Sequence, residues 1–442
     1  MQKTALGREV SASRKRVFCI CILSRGPTAF PFKSVLSCYY IKDKIVLHKK
    51  DRAMQVQNHA IICGRRIDFF CHPSEPEWGY KKTQYDSFAV IYPRDYSETE
   101  IYPLDVVFHS AGHDLYSTLN CILEEGNHDI YHTPDGMFSL ILDCRANMND
   151  WWWGGINVLD ENYDRSREGI ELQPVENRCI ATVEWVIDNF PVDCDRVYAV
   201  GNSMGGSGCL GIALRRGDIF AAIKANVPAG ARHAVERCCL LGNAPEGFSI
   251  PDPPVVVDYS SQIDEWSVEH ELLFKGMKAR RYAYHAFWGL FGHGNNHAEI
   301  AKYNDIIHSI PAREMRKCDA YPVFTDASTD DIIPWIHREN APDSGQVNGF
   351  FHWQVISDTA EALEMKLWLL SPDEWQTRVT LPEKSVADIL IRRMQNFKLS
   401  GEEEFNWSFG GQSGTSKADS TGHPSIERIC VTQAPQILKI AK

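Results

Sequence analysis

The run Gly201-Asn202-Ser203-Met204-Gly205-Gly206 constrains this chain more than any other stretch. It fits G-x-S-x-G and lies between a β-type apolar run, residues 196–200 (RVYAV), and a helical segment, residues 205–216. A strand that turns at once into a helix strains the serine backbone, so the flanking positions must be nearly free of side chains. The bend lifts the hydroxyl clear of the sheet. It also aims a helix N-terminus, with unpaired N–H groups and partial positive charge, at any oxyanion that forms there. The plainer reading, a glycine-rich turn that cradles phosphate, lacks the Lys-Ser/Thr ending of a phosphate loop. Ser203 is therefore read as a nucleophile.

The segments around it alternate. Residues 66–70, 87–92, 104–108 (LDVVF), 138–142 (FSLIL), 220–227, 254–259 and 281–287 read as strands. Residues 175–190 place Ile180, Val183, Val186, Ile187 and Phe190 at helical spacing, and 267–279 reads as a further helix. Strands alternating with helices predict right-handed crossovers and a doubly wound, mostly parallel α/β sheet. After residue 310 helical pattern becomes scarce. Residues 349–356, 362–370 and 426–431 have strand character, and 401–422 reads as loops. The expected division is a basic leader (1–53), an α/β catalytic domain (54–309) and a mostly-β C-terminal domain (310–442), a small sandwich.

A serine hydroxyl is a weak nucleophile at neutral pH. It needs a base, and the base needs an orienting carboxylate, in the chain order serine, acid, histidine. The loop after residues 254–259 offers Asp264, with Glu265 and Asp258 as rivals. The last strand leads into Gly289-Leu290-Phe291-Gly292-His293-Gly294, so His293 hangs between two glycines past the sheet. His297 is the weaker candidate for the base. Oxyanion donors are expected from the Met204 N–H and from backbone near Ser110 and Ala111, after the strand at 104–108. His109, Trp151, Trp152 and Trp153 fall on the same sheet edge and are read as substrate-binding, because aromatic faces stack on sugar rings and phenolic acids. Packing of the loop against the core is an equal reading of the tryptophans. Trp335, Trp353, Trp368 and Trp375 read as core of the C-terminal domain, and His337, His352 and Asp358 as structural rather than metal-binding.

Charge narrows the partners. The net charge is -12, which argues against nucleic-acid or anionic-membrane binding. Residues 1–53 run against this, with 12 basic and 3 acidic side chains. Their short apolar run, 17–23, is followed by Arg25 and Pro27 without a small-residue cleavage site, so a secretory signal is disfavoured. The leader reads as disordered, or as sequence upstream of a start at Met54. No apolar run reaches the roughly 18–20 residues of a membrane span. The 14 cysteines are scattered and form no C-x-x-C pair, which fits a reducing compartment better than a disulfide scaffold or a zinc site.

Taken together, residues 102–112 (YPLDVVFHSAG), 195–208 (DRVYAVGNSMGGSG), the Asp264 loop and 289–294 (GLFGHG) resemble the α/β-hydrolase superfamily. More narrowly they resemble its esterase group of feruloyl and acetyl-xylan esterases and polyhydroxybutyrate depolymerases. The resemblance covers roughly residues 85–300. It implies a cofactor-free serine esterase with an acyl-enzyme intermediate, acting on a small-molecule, oligosaccharide or polymer ester, and leaves a homo-oligomer open. A polyester depolymerase, a serine oligopeptidase and a dead hydrolase scaffold that only binds are the alternatives. One departure is Ser110, which stands where relatives carry glycine.

Overall fold

Alternate residues of one strand set the architecture. In the strand Tyr102–Phe108 every residue is buried. Leu104, Val106 and Phe108 face one apolar cluster, while Val107 faces another. A strand buried on both sides needs layers on both sides. The computed structural model describes residues 54–123, 131, 133–144, 151–154, 169–250, 252–293, 297–337 and 339–442. The predicted leader and Gly294 lie outside these.

In chain order the first unit has β1 (Gln55–Ile62), β2 (Arg65–Pro73), β3 (Tyr85–Ile91), β4 (Tyr102–Phe108), α1 (Leu115–Leu123), β5 (Phe138–Leu142), α2 (Pro174–Asn189) and β6 (Val192–Asn202). It continues with α3 (Met204–Ala213), β7 (Ala222–Asn226), α4 (Arg232–Arg237), β8 (Val255–Ser261), α5 (His270–Arg280), β9 (Tyr284–Gly289) and α6 (His297–Ser309). Helix α2 starts where the sequence allows it to: Pro174 opens it, and Gln173 and Glu176 form a reciprocal capping box. These strands form a mixed sheet in the order β1-β2-β3-β5-β4-β6-β7-β8-β9. From β5 to β9 the pairing is parallel, and β1, β2 and β3 join antiparallel. Helices α2, α3 and α5 pack on one face, and α1 and α6 on the other.

The C-terminal third holds β10 (Tyr321–Thr325), β11 (Gly345–Val347), β12 (Phe351–Asp358), β13 (Ala362–Leu369), β14 (Lys384–Arg392), β15 (Glu404–Phe409), β16 (Gln412–Lys417), β17 (Ser425–Thr432) and β18 (Gln436–Ala441). A three-stranded sheet (β10-β14-β17) and a five-stranded sheet (β12-β13-β18-β15-β16) share one core, with Leu367, Ile389, Phe405 and Ile440 among its members.

Three expectations change here. The border at residue 310 is not a clean one. β11 pairs with β9 as the tenth strand of the large sheet. Tyr259 and Phe287 of that sheet, and Tyr303, Ile306 and Ile307 of α6, belong to the same apolar cluster as Phe351 and Leu367. Residues 401–422 are not loops throughout, because they contain the β15–β16 hairpin. Gly410 and Gly411 both take positive φ (55° and 83°) and make its tight turn, so their glycines serve pairing rather than disorder. The tryptophans of this region sit at its margins: Trp375 is 37% exposed, and Trp335, Trp353 and Trp368 are half-buried.

Candidate active site

The parallel strands β6 and β7 end side by side at Asn202 and Asn226, and β8 and β9 run two residues further, to Ser261 and Gly289. The chemistry gathers along that carboxyl edge. Ser203 follows β6 immediately, with φ 55° and ψ −121°, a conformation that costs a non-glycine residue of order 1–3 kcal/mol. The surroundings hold it there. Its N–H donates to the Asn226 carbonyl (2.9 Å), and its own carbonyl accepts from the Ser207 and Ala229 N–H groups (both 3.1 Å).

The motif's glycines have specific neighbours. A Cβ on Gly201 would lie 2.2 Å from the Gly205 carbonyl oxygen, and one on Gly205 would lie 1.9 Å from that of Phe108. One on Gly206 would lie 2.8 Å from the Asn226 oxygen. Helix α3 therefore presses its backbone against the ends of β4 and β7, and only glycine fits.

The Ser203 hydroxyl lies 2.7 Å from His293 Nε2, and His293 Nδ1 lies 2.6 Å from Asp264 Oδ2. A carboxylate only accepts, so Nδ1 carries the proton and Nε2 is left to accept from the serine. The Asp264 side chain is 1% exposed, and its other oxygen accepts the Trp266 N–H (2.9 Å). The His293 side chain is 30% exposed and so open to solvent. The structure thus brings Ser203, Asp264 and His293 together. The two rival acids stand apart. Glu265 is exposed. Asp258 is buried beneath, where it accepts from Tyr284 Oη (2.6 Å) and pairs with His270 Nε2 (3.0 Å). His297 opens α6, and its side chain lies outside the described set.

The donor segment after β4 differs from expectation. The Ser110 N–H donates to Tyr131 Oη (2.7 Å), so it is not available to an oxyanion. Burial pushes the Tyr131 hydroxyl up to about 12 and keeps it neutral. The Ser110 hydroxyl donates to the Asn202 carbonyl (2.9 Å) and accepts from Asn202 Nδ2 (3.1 Å). That pins the end of β4 to the residue before Ser203, which accounts for a side chain at this position. The Met204 and Ala111 N–H groups have no acceptor among the described residues.

The substrate-binding expectation also narrows. His109 is buried: Nδ1 donates to the Ser110 carbonyl (2.9 Å), and Nε2 accepts the Cys144 N–H (3.2 Å). Trp152 and Trp153 are fully buried. Trp152 donates to the His109 carbonyl (2.9 Å) and packs where a Cβ on Gly208 would be 2.5 Å away, while Trp153 stacks on His233 at 4.0 Å. Only Trp151 of the run is half-exposed. The sequence reading missed Trp266, whose ring lies 5.6 Å from the His293 ring. Its signal was an aromatic residue two positions after the acid. Among the described residues no group of three or more His, Cys, Asp or Glu side chains is arranged to hold a metal ion. Nor does any described helix have the length and apolarity to cross a membrane.

No known family's sequence profile matches the chain, and no curated protein is matched by sequence. Solved structures are. The chain is similar to an S-formylglutathione hydrolase from Agrobacterium tumefaciens at 16% identity and a TM-score of 0.38, covering 54% of this chain and 92% of that one. It is also similar to the S-formylglutathione hydrolase FrmB from Staphylococcus aureus (14%, 0.36), covering 55% of this chain and 97% of that one. A third is a ferulic acid esterase (12%, 0.35), covering 56% of this chain and 98% of that one. These neighbours are esterases and serine hydrolases, as are the proteins the sequence resembles.

Proposed function

We propose that the chain is a serine carboxylic-ester hydrolase of the α/β-hydrolase type. The hydrogen-bonded relay from Ser203 through His293 to Asp264, with both contacts under 2.8 Å, carries this reading. Ser203 attacks the acyl carbon while His293 Nε2 takes its proton. Asp264 holds the imidazole in the required tautomer and stabilises its cation. The Met204 and Ala111 amides receive the oxyanion. His293 then returns the proton to the leaving alcohol, and water enters by the exposed side of the imidazole to cleave the acyl-enzyme. The scheme needs no metal or organic cofactor. Its substrates are acylated saccharide fragments or related hydroxy-acid esters, by the resemblance of the elbow and the base loop.

Replacing Ser203 by alanine abolishes p-nitrophenyl ester hydrolysis and labelling by a fluorophosphonate probe, without lowering the melting temperature. Retained turnover or labelling in that variant refutes the assignment. Failure of the wild type to hydrolyse or label favours the dead scaffold.

A further inference from the structure

The three consecutive tryptophans do unequal work. Trp152 and Trp153 are sealed in the core, and the Gly154 N–H closes a tight turn onto the Trp151 carbonyl (2.6 Å). The segment is therefore a rigid mount for one half-exposed indole. Trp151 is braced edge-on by Trp153, with ring centres 5.1 Å apart. It lies nearly parallel to Trp266, with centres 6.0 Å apart and planes 26° apart. Trp266 in turn leans over His293, with centres 5.6 Å apart and planes 37° apart. Its backbone is fixed at both ends, by the Trp266 N–H on Asp264 and by its carbonyl accepting the Gly230 N–H (2.9 Å). Two indoles from different loops thus form one preorganised wall that begins at the imidazole.

The direction of the reaction says which half of an ester meets this wall. The oxyanion points to the Met204 and Ala111 amides. The leaving oxygen must lie within reach of His293 Nε2, because that nitrogen gives it the proton. The alcohol therefore departs on the imidazole side, and the acyl chain extends away from it. We propose, resting on the esterase reading above, that Trp266 and Trp151 form the subsite for the leaving alcohol, and that this alcohol carries a flat or apolar-faced ring. Indole faces stack on such rings, and fixed aromatic side chains bind them with little ordering cost.

Benzyl and n-propyl alcohols have similar acidity, so acetates of the two compare ring recognition without changing leaving-group chemistry. With purified full-length protein, the ratio of kcat/KM for benzyl acetate over propyl acetate falls about tenfold in Trp151→Ala, and less in Trp151→Phe, which keeps a ring. An acetylated methyl pyranoside in place of benzyl acetate distinguishes a sugar alcohol from an aryl one. The matching acyl-side ratio, propyl 3-phenylpropanoate over propyl acetate, changes less than twofold. A leaving-alcohol ratio that stays within twofold overturns the subsite while leaving the esterase reading intact. So does a loss confined to the acyl-side ratio. Wild-type protein that hydrolyses none of these esters and fails to react with fluorophosphonate overturns both.

Discussion

Asp258 and Asp264 belong to one short stretch of chain, yet their surroundings assign them different work. Asp258 is buried, with His270, Tyr284 and Ser260 as hydrogen-bond partners. Asp264 faces the imidazole. Asp264→Asn is expected to lower kcat by about a thousandfold or more, with little change in melting temperature, because the wrong imidazole tautomer is then favoured. Asp258→Asn is expected to do the reverse. It weakens a buried hydrogen-bonded network at a cost of about 2 kcal/mol or more and lowers the melting temperature, with a smaller effect on kcat. Paired kinetics and thermal melts separate the two. The sequence left Asp258, Glu265 and Asp264 in competition because burial and partner geometry are not written in local spacing. Ser203 and His293 were legible because glycines on both sides have few other uses at a strand end.

At the scale of elements, the decisive contact is between α3 and the end of β4. The Gly205→Ala variant puts a methyl group into the Phe108 carbonyl, which is backbone and has nowhere to go. The expected loss is at least about 3 kcal/mol, read as a lower urea midpoint with an unchanged slope. Most of the large sheet was legible as apolar runs alternating with helical spacing. The β15–β16 hairpin was not, because strands of mixed polarity around Gly410-Gly411 look like linker by composition. The tryptophan run was left between two readings for a related reason. Three adjacent indoles suggest a surface, and only the positions of Gly208 and His233 show that two of them fill gaps behind it.

Over the whole molecule, pH dependence follows from buried imidazoles. Burial pulls His72, His285 and His352 down to about 4 and His233 to about 3, with Arg178 adding to the effect at His72. Below the ordinary value near 6.5 the unfolded chain takes up protons that the folded chain refuses, so stability falls as pH drops from about 6.5 towards 4. Asp330 opposes this. Burial pushes it up to about 7, so its contribution grows as pH falls from about 7 towards 4. Asp331 and Glu176, raised by burial, act with Asp330. Asp193, Asp218, Asp252 and Asp419 are held down by hydrogen bonds and positive neighbours and act with the imidazoles, so melting temperatures measured across that window are expected to decline towards acid. Asp330→Asn is expected to raise the melting temperature at pH 8 and leave it unchanged at pH 4.

The apolar side of α6 lies in a cluster that also takes in Tyr259, Phe287, Phe351 and Leu367. The imidazole's loop is thus moored to a helix whose footing is shared with the C-terminal sheets. A chimera spliced at residue 310 would part α6 from the half of its apolar cluster that the C-terminal sheets supply, and a foreign C-terminal part would have to match that footing.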